Sequence, residues 1–122
     1  MVDVRGQVQG SPFGGASGVA DGIGGEYVIT LSSEPGYTCS ATPSGDYLTV
    51  VLGQIDGPGT YPAAGNVSFN LIEGQSTFTE AATSGSITIE EVDESQGFIR
   101  GSLSASGPQS QISGSFDVSI CF

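Results

Sequence analysis

The chain reads as an all-β protein: an antiparallel β-sandwich of about eight strands closed by one disulfide, with a small β-barrel as the alternative. Three observations carry that expectation. No window sustains the i, i+3, i+4 apolar spacing of an amphipathic helix, and 20 glycines interrupt nearly every stretch long enough to hold one. Short apolar–polar alternation recurs instead between turn clusters, at the period of a half-buried strand. The two cysteines, Cys39 and Cys121, stand alone in a chain with no histidine. They cannot complete a four-ligand zinc site and lie too far apart for a C-x-x-C redox pair, so a structural bridge accounts for both.

Taken in order, Val2 to Val8 alternates and forms a first strand. Residues 10–25 are glycine-rich and weakly patterned, and read as an irregular or edge segment. Tyr27 to Ser32 is a strand with Tyr27, Ile29 and Leu31 on one face. It ends at Glu34-Pro35-Gly36, because proline restricts its predecessor and donates no ladder bond. Tyr47 to Leu52 is almost continuously apolar, the pattern of a strand buried on both faces, and Asp56-Gly57-Pro58-Gly59 stops it. Val67, Phe69 and Leu71 alternate next, and Glu73-Gly74-Gln75 leads to a short strand around Phe78.

The last third has the clearest pattern. Ile87 to Glu90, Phe98 to Leu103 and Ile112 to Cys121 are three strands. Short turns around Asp93 to Gln96 and Gly107 to Gln109 suit consecutive antiparallel pairing. In the final strand Phe116, Val118, Ile120 and Phe122 share one face, while Asp117, Ser119 and Cys121 share the other. Cys121 thus falls in the polar phase: either the disulfide lies on the outer face or a bulge resets the register.

Length bounds the organisation to one domain over residues 1–122. Only 12% of residues are charged, with 13 acids against Arg5 and Arg100 and no lysine, for a net charge of -11. Such a chain repels phosphate backbones, which excludes nucleic acid as a partner. No run approaches the roughly 18 apolar residues of a membrane span, so this segment is not expected to insert. Low charge, abundant small polar residues and a disulfide together point to a secreted, periplasmic or cell-surface location. Met1-Val2-Asp3 has neither the charged nor the apolar region of a secretion signal, so an exported form is expected to be a mature domain behind an added methionine.

Catalytic chemistry is limited by inventory. Without histidine there is no Ser-His-Asp or Cys-His set, and without lysine no Schiff base or Ser-Lys pair. Paired carboxylates remain, gathered at Glu90, Glu91, Asp93 and Glu94. A glycosidase also needs a cleft with aromatic platforms, and tryptophan is absent. The expectation is a protein that is not an enzyme and uses no cofactor. Glu91, Asp93 and Glu94 are weak candidates for calcium, as are Asp21, Asp46 and Asp56 in loop-like segments, since hard cations take several oxygens. No Asp-x-Asp-x-Asp-Gly loop supports them, and a solvated acidic turn is the expected reading. Gly14-Gly15 and Gly22 to Gly25 lack the lysine and helix of a phosphate loop. Tyr27, Tyr37, Tyr47 and Tyr61 belong either to a binding face or to half-buried structural surface.

The pattern as a whole resembles small bacterial lipoprotein-type domains of unknown function. The resemblance rests on Gly6-Gln7-Val8-Gln9-Gly10-Ser11-Pro12-Phe13 ahead of a strand and the lone Cys39. It continues in Gly85 to Ile89, Gly101 to Leu103 and Ser113 to Phe116 before the near-terminal Cys121. It implies a lipid anchor upstream of Met1 and carries no activity or site residue. The expected function is a non-catalytic secreted or cell-envelope domain with a structural or binding role, its protein or glycan partner unspecified. The alternatives are a calcium- or carbohydrate-binding module and a self-assembling extracellular fibre subunit, in which the N-terminal segment adds to a neighbour's sheet.

Overall fold

A computed structural model describes residues 2–23, 26–39, 45–55 and 57–121. Among them there is no helix, and eleven strands form: β1 (Val2–Val8), β2 (Ser11–Gly14), β3 (Ser17–Ile23), β4 (Glu26–Ser32), β5 (Tyr47–Gln54), β6 (Gly59–Pro62), β7 (Val67–Glu73), β8 (Ser76–Ala81), β9 (Ser84–Asp93), β10 (Phe98–Ser106) and β11 (Gln111–Cys121). All join one sheet in the order β6-β9-β10-β11-β3-β4-β5-β7-β8, with the β1-β2 hairpin attached to β11. The sheet curls into a half-barrel, between the sandwich and the barrel expected from sequence.

The curl depends on β11, which has three neighbours. β10 runs antiparallel along one edge, from Ser106 opposite Gln111 to Phe98 opposite Ser119. The other edge is shared: β1 pairs antiparallel with residues 111–116, and β3 pairs parallel with residues 119–121. The β11–β3 pair is the one parallel junction among the described strands, and it joins the two halves of the sheet.

Both halves send side chains into one core. Val4, Ile87, Ile89, Ile99, Ile112 and Phe116 come from one, and Ile29, Leu31, Leu48, Val50 and Phe69 from the other, all nearly inaccessible to water. The rim is tied by polar contacts. Gln9 Nε2 donates to the carbonyls of Phe78 (2.6 Å) and Phe69 (3.2 Å), and Gln109 N donates to Glu80 Oε1 (3.1 Å). These bonds hold the β1-β2 and β10-β11 turns onto the β7-β8 hairpin.

Three sequence expectations change. The segment 10–25 divides: β2 is an edge strand, whereas β3 lies inside the sheet between β11 and β4. Its weak pattern has a packing cause. A Cβ on Gly18 would sit 2.7 Å from Thr30 O and 2.8 Å from Leu31 Cδ2, and one on Gly22 would sit 2.7 Å from Tyr27 Cε1. These glycines make room for side chains from the neighbouring strand, as glycine in strand interiors often does. Gly24 and Gly25 lie outside the described residues.

The second correction concerns β5, which is buried on one face only. Leu48 and Val50 are buried, but Val51 is 45% exposed. The register against β4 shifts between Tyr27 and Val28, so Leu52 is an extra residue that breaks the alternation. The third concerns strand number: β2, β3 and β6 bring the count above about eight.

The Cys39–Cys121 disulfide is present, with Cα atoms 5.7 Å apart across a sequence separation of 82. The β10–β11 ladder holds one register throughout, so no bulge rephases β11. Ile112, Phe116, Val118 and Ile120 point inward and Cys121 outward. The bridge therefore lies on the outer face, where it ties the segment after β4 to the end of β11; Phe122 lies outside the described residues.

Candidate functional site

The acidic turn joins β9 to β10. Arg100 lies opposite Glu91 and Gly101 opposite Ile89, so Glu90 is an extra, bulged residue. The bulge lets Ile89 and Val92 both pack on the core while Glu90 remains in solvent.

Glu91, Asp93 and Glu94 each have a separate local task. Glu91 pairs with Arg100, whose guanidinium also lies 5.8 Å from the Phe98 ring centroid. Asp93 Oδ1 accepts from Gln96 N (2.9 Å) and Ser95 Oγ (2.7 Å), closing the turn as an Asx motif. Glu94 Oε1 accepts from the Tyr27 hydroxyl at 2.9 Å. Glu91, Asp93 and Glu94 are thus not brought to a common centre. Asp46 Oδ1 accepts from Ile72 N (2.9 Å), Asp21 is exposed on β3, and Asp56 lies outside the described residues. No three His, Cys, Asp or Glu side chains converge among the described residues. The tyrosines are dispersed too: Tyr27 is buried, and Tyr37, Tyr47 and Tyr61 are half-buried on different segments.

Two groups at this turn couple to pH. The Gln96 backbone N–H, then the Ser95 hydroxyl, hold the Asp93 carboxyl below its ordinary 3.8. Its contribution is present above that value and is lost as pH falls through the lower folded-state value. Burial first, then the hydrogen bond and charge of Glu94, hold the Tyr27 phenol above its ordinary 10.0. That contribution is present below 10.0 and is lost as pH rises through the folded-state value. Tyr27→Phe keeps the ring over Gly22 and removes one bond to a charged acceptor. It should cost about 1 kcal/mol at neutral pH and flatten the alkaline fall in stability, read from urea melts across pH.

A more extensive polar surface lies on the outside of β1, β11, β10, β9 and β6. One row runs straight across the five strands: Asp3, Ser115, Ser102, Thr88 and Thr60, each opposite the next. A second follows two residues along each strand: Arg5, Ser113, Ser104, Ser86 and Pro62. Arg5 Nε is 3.1 Å from Asp3 Oδ1, so both basic residues of the chain lie on this face beside a carboxylate. Two depressions open on it. One of about 410 Å³ has Asp3, Thr88, Ser102, Ser104 and Ser115 among its walls; one of about 280 Å³ has Asp3, Glu90, Arg100, Ser115 and Asp117. They share Asp3 and Ser115 and so adjoin.

Sequence reasoning centred on the acidic turn and passed over this face. Its signal was present in Ser84-Ser86-Thr88, Ser102-Ser104-Ser106 and Ser113-Ser115, hydroxyls at period two on three strands that prove adjacent. No protein family, curated protein or solved structure matches the chain.

Proposed function

We propose that the chain is a non-catalytic, extracytoplasmic domain that binds a neutral, hydroxyl-rich polymer through the outer face of β1, β11, β10, β9 and β6. The observation that carries this reading is the five-strand hydroxyl row with its adjoining depressions. Rigid strands hold these donors and acceptors in register, and both basic side chains there, Arg5 and Arg100, stand beside a carboxylate. A glycan presents the matching array of hydroxyls. The disulfide supports an oxidising compartment, and the resemblance to lipoprotein-type domains supports the cell envelope, with an anchor upstream of Met1. No helix among the described residues is long and apolar enough to cross a membrane.

The test is titration of the disulfide-intact protein with neutral and acidic glycans, followed by amide chemical shifts. Neutral glycans should perturb residues of the five-strand face, and Thr88→Val with Ser102→Ala should weaken binding about tenfold without altering the fold. Binding that ignores both substitutions, or no binding across the panel, would reject the reading.

Self-assembly is the second reading. Val2–Val8 pairs with β11 of its own chain, so donation of that strand to a neighbour would first have to open this ladder. The outer edge of β8, which among the described strands pairs only with β7, is the geometry that favours assembly.

A further inference from the structure

Among the described strands three lie at the outside of the curled sheet, and two of them are guarded. β6 and β2 are each four residues long and contain Pro62 and Pro12, which interrupt pairing by an incoming strand. β8 is different. It runs six residues, Ser-Thr-Phe-Thr-Glu-Ala, without proline, and among the described strands it pairs only with β7. Phe78 at its middle is 49% exposed. Its one charge, Glu80, accepts from Gln109 N of the β10-β11 turn (3.1 Å), which turns the carboxylate toward its own chain. Gln9 holds the Phe78 carbonyl, so the strand is fixed in place rather than frayed.

We propose that the β8 edge is a homotypic docking surface, on which a second copy of this chain adds its own β8 antiparallel about a two-fold axis at Phe78. Ser76-Thr77-Phe78-Thr79-Glu80 is nearly palindromic, and that symmetry selects the occupant. Antiparallel pairing about Phe78 sets Thr77 against the partner's Thr79, a favourable cross-strand pair. It sets Glu80 against the partner's Ser76, a hydroxyl donor, and Phe78 against the partner's Phe78. No two acids meet. A parallel arrangement in the same register would instead set Glu80 on Glu80. The contact is isologous and uses up both edges, so it closes as a dimer and does not propagate. It goes beyond the binding face above, which lies on other strands and stays free in the dimer.

The interface is one short strand edge, below the usual size of a stable complex, so Kd should be on the order of 100 µM. Each copy carries a net charge of -11, so mutual repulsion opposes association and salt relieves it.

Sedimentation of the disulfide-intact protein, from about 10 µM to about 1 mM at low and high salt, reads this directly. A monomer–dimer equilibrium is expected, with Kd falling about threefold or more at high salt. In a two-residue hairpin closed by Glu73 and Ser76, the Thr77 N–H points away from β7. Thr77→Pro therefore blocks the edge and spares the hairpin; Phe78→Lys sets two ammonium groups across the axis. Both variants should melt near the wild type and stay monomeric. Phe78→Cys should form a disulfide-linked dimer on mild oxidation, while Ser95→Cys on the distant β9-β10 turn should not. A monomer under every condition overturns the proposal. So does a dimer that survives both edge variants, a filament, or cross-linking that does not distinguish position 78 from position 95.

Discussion

Gly114→Ala should be among the most damaging single substitutions in the chain, costing about 3 kcal/mol or more of the roughly 5–15 kcal/mol that stabilises a domain. Gly114 lies in β11 with φ of +147°, and a Cβ there would stand 2.0 Å from Asp3 O and 2.7 Å from Val4 Cα. Its counterpart on β1, Gly6, has φ of +152° and would bring a Cβ within 1.9 Å of Gln111 O. The obstruction in both cases is backbone, which cannot turn aside as a side chain can. β11 cannot retreat either, because β10 holds it along its opposite edge. The strained φ adds to the clash. Urea melts should show a lower midpoint for Gly114→Ala and a near-native one for Gly14→Ala, where a Cβ meets nothing within 4 Å. Equal midpoints would mean that β1 does not lie on β11 in the register described.

Breaking the disulfide should be as costly. For a loop closed over 82 residues, the chain-entropy treatment gives about 4.5 kcal/mol. Cys39→Ser with Cys121→Ser should therefore leave a domain close to its folding threshold at 37 °C. The substitution is mild in the folded state, because Cys39 is exposed and Cys121 sits in the outward phase of β11. The loss should consequently arise in the unfolded chain. Two measurements check this: thiol labelling of the denatured, unreduced protein should find no free cysteine, and urea melts with and without reductant should differ by several kcal/mol. Two reactive thiols, or superimposable melts, would contradict it. Since Cys39 is exposed, a thiol reductant should open the bridge under native conditions without prior unfolding.

What could be read in advance followed from which contacts are local. β9, β10 and β11 are consecutive neighbours, so their alternation and turns were plain in the chain, as was the outward phase of Cys121. β3 was not. Its residues answer to Tyr27, Leu31 and Val118 on adjoining strands, and glycine placed to admit a neighbour's side chain resembles glycine placed to make a turn. β5 misled in the opposite sense: its apolar run implied two buried faces, whereas alternation from Leu48 and Val50 turns Val51 outward into solvent. The acidic cluster was visible as composition, but its division among Arg100, the Asp93 turn and Tyr27 depends on a bulge and on a residue 67 positions away. The hydroxyl face was legible strand by strand; only the sheet order shows that it is continuous.

β11 is also the last of the described strands in chain order, and three others wait for it. β1, β3 and β10 all complete their pairing on these eleven residues, and Cys39 finds its partner only at position 121. The N-terminal strands therefore have no finished sheet to join until β11 is available. Such long-range closure delays folding, because the cost of closing the intervening loops precedes the gain from pairing. The topology thus works as a built-in timer, in which the sheet locks only once β11 is in place.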